Sequence, residues 1–120
     1  MAKVMIISEN NELSLAIKYV LRREGHDVEI MPTFCESEAY LYSGGNSAVI
    51  LIDSDAIHHC RAGKRASEKL RSITKGNARI IYLATKGSDN ASAEGADTIV
   101  YKPFTAHDIQ TEVRNALATL

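Results

Sequence analysis

The sequence predicts an α/β domain built on an open parallel sheet with helices on both faces. Three observations carry that prediction. Short runs of branched aliphatic residues without polar alternation recur along the chain, each run stops at polar residues, and stretches with helical spacing separate them. With 120 residues the chain has room for one domain spanning 1–120, able to bury roughly two-thirds of the surface that its unfolded form exposes.

The central strand is the clearest element. Ala48-Val49-Ile50-Leu51-Ile52-Asp53 is too short for a typical helix and too uniformly apolar for a strand with one wet face, so it reads as a strand covered on both sides, β3. Earlier in the chain, Val4–Ile7 has the same character and ends at Ser8-Glu9-Asn10, which gives β1. Leu13, Ile17, Val20 and Leu21 then recur at helical spacing, with Asn10 or Asn11 as N-cap and Gly25 as the stop, predicting α1 over about 11–24. Val28 and Ile30 alternate with Asp27 and Glu29 in His26–Met31, a half-covered strand near a sheet edge, β2, which Pro32 ends. Thr33-Phe34-Cys35-Glu36 matches a capping box that opens a short helix, α2, closed by Gly44-Gly45, with Ala39 and Tyr42 or Leu41 inward.

A polar loop follows Asp53, and Ala66, Leu70 and Ile73 predict α3. Ile80–Ala84 repeats the buried-strand pattern before Thr85, giving β4. Between Lys86 and Asp97 the residues are mostly small and polar, so a fourth helix is shortened to a turn or two. Thr98–Tyr101 is β5, and Thr105 starts a C-terminal helix with Ile109, Val113, Leu117 and Leu120 inward.

Charge excludes some partners. Fourteen basic against fifteen acidic residues leave a net charge of −1, so nothing marks the chain as a general polyanion binder and nucleic acid is not expected as a direct partner. The longest apolar runs are five residues, so neither a membrane span nor a signal-peptide core is present, and a cytoplasmic location is expected. Cys35 and Cys60 have no metal-type spacing and are too few for a disulfide framework, so reduced thiols are expected.

In a parallel sheet the polar residues Glu9, Asp53, Thr85 and Lys102 gather on one edge, where ligand crevices form. Two carboxylates, a hydroxyl and a lysine suit a hard divalent cation together with a phosphoryl group. The spacing of these residues resembles the receiver domain of two-component response regulators (the CheY-like superfamily). KVMIISENNELSLAIKYVLRREG can be laid without a gap on the family's first strand and helix, AVILID places Asp53 at its phosphoacceptor aspartate, and GADTIVYKPF is similar to its fifth strand and Lys-Pro turn. The resemblance implies a flavodoxin-like strand order, 2-1-3-4-5, the order that is also the standard description of a chemotaxis receiver.

By that resemblance, Asp53 accepts a phosphoryl group from a histidine kinase or phosphotransfer protein. Glu9, Asp53 and the backbone carbonyl of Asp55 hold Mg²⁺, Lys102 pairs with the phosphoryl oxygens, and the hydroxyl at the end of β4 moves to meet them. A surface made by the fourth helix, β5 and the C-terminal helix then switches toward an output protein or a homodimer. This is an acceptor role and not an enzyme's.

Several positions depart from the family. Ser8-Glu9 stands where an acidic pair is usual, so Mg²⁺ is expected to bind weakly. Ala84 falls at the usual hydroxyl position and Thr85 one residue later, on the opposite face of a regular strand. Ile99 replaces a common aromatic, with Tyr101 expected to point the other way and with Ile99 and Phe104 in the core. These departures keep a second reading open, a phosphorylation-independent protein-interaction module. His58-His59-Cys60 offers zinc-type ligands, but adjacent loop residues rarely supply three ligands to one ion. A flavodoxin-type phosphate site is opposed by Glu9 and Glu12, and no Gly-x-Ser-x-Gly elbow supports hydrolysis.

Overall fold

A computed structural model describes residues 2–57, 65–87 and 93–120. Five parallel strands form one sheet in the order β2-β1-β3-β4-β5, as the family resemblance implied. The strands are β1 (Lys3–Ile7), β2 (Asp27–Met31), β3 (Val49–Asp53), β4 (Arg79–Thr85) and β5 (Thr98–Lys102). The helices among the described residues are α1 (Asn11–Arg23), α2 (Phe34–Tyr42), α3 (Ala66–Ile73) and the C-terminal α4 (Ala106–Ala118).

The period of two along each strand divides the core between the faces. Ile50 and Ile52 join Phe34, Leu41, Ala66 and Leu70 on the side of α2 and α3, whereas Val49 and Leu51 join Ile17, Leu21, Ile109 and Val113 on the side of α1 and α4. Every residue of β3 is buried, which is why its sequence shows no polar alternation. Each large aliphatic side chain taken out of water in this way contributes about 2 kcal/mol before the entropy of ordering it is counted.

Local chemistry sets the helix ends. The Asn10 side chain accepts from the Leu13 N–H (3.1 Å) at the start of α1. Thr33 caps α2 by accepting from the Glu36 N–H (3.2 Å), and Thr105 and Asp108 form a reciprocal capping box on α4. Gly95 is required where it stands: its φ is +94°, and a Cβ there would lie 2.9 Å from Glu68 Cγ on α3.

Some inward assignments change. In α2 the buried residues are Phe34, Ser37 and Leu41, while Ala39 is exposed and Tyr42 is turned to solvent, because a nine-residue helix on this sheet buries one narrow stripe. Leu120 is exposed beyond the end of α4, and Ala116 takes the inward position. The predicted loop after β3 opens as a 3-10 turn, Ser54–Ile57, with Ala56 in the core. Cys35 is disulfide-bonded, which corrects the free-thiol expectation for that residue. Cys60 and the rest of the His58-His59-Cys60 cluster lie outside the described residues. So does 88–92, part of the Lys86–Asp97 stretch in which a turn or two of helix was expected; the described part of that stretch includes a turn in which the Ala96 N–H bonds the Ala93 carbonyl at 2.9 Å.

Candidate functional site

The carboxyl ends of β1, β3, β4 and β5 bring the candidate residues to one edge. Register sets Asp53 beside Leu83, and Lys102 beside Thr85. By alternation Asp53 follows Val49 and Leu51, and Lys102 follows Val100, so both point to the side of the sheet that α1 and α4 cover.

Asp53 is 0% exposed, and a buried carboxylate is costly unless it is paired and hydrogen-bonded. Here both oxygens are engaged. Oδ1 accepts from Lys102 Nζ at 2.7 Å and from the Asp55 N–H at 3.3 Å, while Oδ2 accepts from the Ser8 hydroxyl at 2.9 Å. Ser8 is itself buried, and its Oγ accepts from the Asn10 N–H at 3.1 Å, so its orientation is set by the residue that caps α1. Lys102 also reaches Asp55 Oδ2 at 3.4 Å. Burial works against the Lys102 ammonium, but the hydrogen bond and charge of Asp53, with Asp55 behind them, outweigh it and raise its pKa above the ordinary 10.5.

Asp53 and Lys102 therefore meet directly. Thr85 sits at the same edge, with its hydroxyl 3.4 Å from that of Ser54. It follows Ile81 and Leu83 in alternation, which puts it on the Asp53 side, whereas Ala84 is buried in the opposite layer. The one-residue offset thus leaves the hydroxyl on the Asp53 side of the strand, near that of Ser54. Asp55 enters the site through its N–H and its carboxylate, and Glu9 is exposed beside the buried Ser8.

Ile99 and Tyr101 are 41% and 44% exposed. This corrects two expectations. They lie two residues apart and so share a face, and that face is the one opposite Val100, which packs in the core; Ile99 is not a core residue. Phe104 is partly buried against the α1 and α4 layer, as expected.

Sequence reasoning placed Ser8 at this edge only as the replacement of an acidic residue and missed its hydrogen bond to Asp53, and it missed Ser54 altogether. The available signal for Ser8 was its place directly after a buried strand, where a polar side chain has to find a partner. As a cation site the donors fit Mg²⁺ in kind, since Asp53, Glu9 and the Asp55 carbonyl present oxygen only. In number they are thin: among the described residues no three of His, Cys, Asp and Glu are grouped to hold an ion.

No protein-family model and no curated protein matches the chain. Solved structures do. It is similar to a response regulator receiver domain protein from Clostridium thermocellum, with 26% identity and a TM-score of 0.82 over 99% of this chain and 96% of that one. It is also similar in fold to a putative response regulator from Chloroflexus aurantiacus, with 20% identity, a TM-score of 0.82 and 98% of each chain covered. A CheY-like receiver domain protein from Methanospirillum hungatei matches at 20% identity and a TM-score of 0.82, over 98% of this chain and 94% of that one. The chain has the fold of the receiver domains of two-component response regulators.

Proposed function

We propose that Asp53 is a phosphoacceptor in two-component or phosphorelay signalling. The observation that carries this reading is a buried carboxylate at the carboxyl end of the central strand, 2.7 Å from the ammonium of Lys102. In the reaction an Asp53 oxygen forms the new P–O bond, and the P–N bond of a donor phosphohistidine breaks. The imidazole leaves with the bonding electrons and takes up a proton. Lys102, already charged, turns from the carboxylate to the incoming phosphoryl oxygens, and Thr85 supplies a hydroxyl at the same edge. Asp53, Glu9 and the Asp55 carbonyl would hold Mg²⁺, which would supply further charge balance when bound.

The donor is a histidine kinase or phosphotransfer protein. The output is a protein surface that includes Ile99 and Tyr101, presented to a downstream partner or to a second copy through β5 and α4. Direct contact to nucleic acid or membrane is not part of this reading; no helix among the described residues is long and apolar enough to cross a membrane. A second reading, a phosphorylation-independent interaction module, is favoured by one observation: both oxygens of Asp53 are already satisfied within the chain.

Intact-mass measurement after incubation with a small-molecule phosphodonor separates the two readings. Phosphoacceptor function predicts the gain of one phosphoryl group, abolished by Asp53→Asn. No gain in folded protein selects the interaction module.

A further inference from the structure

We propose that Ser8 is a positioning residue that pins Asp53 without a divalent cation, so that both oxygens of the resting carboxylate are held by the chain's own donors. Three contacts support this. The Ser8 hydroxyl donates to Asp53 Oδ2 at 2.9 Å, Lys102 holds Oδ1 at 2.7 Å, and the Asn10 N–H fixes Ser8 Oγ at 3.1 Å. Ser8 and Asp53 are both buried, so water does not compete for this contact.

The charge count points the same way. Asp53 and Asp55 share the ammonium of Lys102, with exposed Glu9 next in the chain to Ser8, and Ser8 adds a donor without adding a further negative charge. An acidic residue at position 8 would set a second carboxylate against Asp53, and two carboxylates so close repel unless a cation or a proton lies between them. Serine removes the need for that cation. Any divalent ion drawn to Asp53 has to compete with the Ser8 and Lys102 donors for the carboxylate. The pinning acts in the resting protein, and its relevance to function rests on the phosphoacceptor reading, which it deepens.

The test uses Mg²⁺ alone, with no phosphodonor, so its outcome is independent of whether Asp53 is phosphorylated. Thermal unfolding of the wild-type protein in EDTA and in millimolar Mg²⁺ is expected to give nearly the same midpoint. Ser8→Asp is expected to unfold at lower temperature in EDTA and to recover in Mg²⁺, with affinity for the ion raised roughly tenfold or more. Strong Mg²⁺ stabilisation of the wild type, or a Ser8→Asp variant as indifferent to Mg²⁺ as the wild type, overturns the proposal. Should Ser8→Asp not fold, Ser8→Ala and Ser8→Thr decide the question through the ¹³C carboxyl resonance of Asp53 in EDTA. Alanine is expected to shift and broaden that resonance, and threonine, which keeps the hydroxyl, to restore it. An Asp53 resonance unmoved by Ser8→Ala overturns the proposal.

Discussion

Two aspartate–cation pairs of similar chemistry stand at opposite edges of the same sheet. At the carboxyl edge, Asp53 and Lys102 meet at 2.7 Å; at the amino edge, Asp97 and Arg71 meet at 2.8 Å. Asp97 is exposed, and its second oxygen accepts from the Ile80 N–H at 2.8 Å, so it closes the start of β5 onto β4. Arg71 adds a bond to the Gly95 carbonyl at 2.9 Å and ties α3 to the same corner. That cluster fastens backbone to backbone. Asp53, by contrast, makes one backbone contact, with the Asp55 N–H, and otherwise gives its oxygens to a lysine and a serine. A fully buried charge held by a partly exposed lysine is a poor device for stability, and that difference separates the carboxyl-edge pair, on which the proposed function rests, from the amino-edge one.

The largest effect should come from stranding the buried charge. Lys102→Met leaves Asp53 without its cation and is expected to cost about 3–5 kcal/mol in denaturant unfolding. Adding Asp53→Asn to that variant should recover most of the loss. If Lys102→Met costs no more than the amino-edge variants, the contrast between the two pairs collapses. Arg71→Met comes next, with an expected loss of about 1–2 kcal/mol, because its bonds to Gly95 and Asp97 are partly wet.

The third effect is a pH dependence. Burial pushes the Asp97 carboxyl up, but the Ile80 N–H, the hydrogen bond and charge of Arg71, and the charge of Arg79 outweigh it and hold its pKa below the ordinary 3.8. A depressed folded-state pKa means that the stabilisation is present above 3.8 and is lost as pH falls through the lower folded value. Asp97→Asn should therefore flatten the acid limb of a stability–pH profile below about pH 4 while costing less than about 1 kcal/mol near neutrality. An acid limb unchanged by the substitution would assign acid sensitivity to other carboxylates. The smallest effect on stability belongs to Ile99→Thr and Tyr101→Ser, within about 0.5 kcal/mol of wild type, since both side chains are substantially exposed. Their consequence should appear in sedimentation or partner-binding measurements, and unchanged association in both would remove β5 from the interaction surface.

Much of the molecule was legible from local pattern. Runs such as Val49–Ile52 and Ile80–Leu83 announce strands buried on both faces, and Asn10, Thr33 and Thr105 announce helix starts, because burial and capping act over a few residues. Asp53 stood out because it ends such a strand, and Lys102 because it ends β5 at the Lys-Pro turn; the structure brings the two into contact. Errors arose where a local pattern left orientation open. Ile99 has the composition of a core residue, yet it lies on the outward face of an edge strand, and in α2 the apolar Ala39 and Tyr42 lost the inward stripe to Ser37 and Leu41.

What the amino-acid sequence determined by itself was the alternation of strand and helix and the placing of charged residues at strand ends. These follow from periodicity, which is a property of neighbouring residues. Tertiary structure decided which of those ends touch and through which atoms. Ser8 and Asp53 are 45 positions apart, and only the parallel pairing of β1 with β3 brings a hydroxyl onto the carboxylate. The same packing set Thr85, and not Ala84, on the Asp53 side of the sheet, because side-chain direction at a strand end depends on the register of the whole sheet.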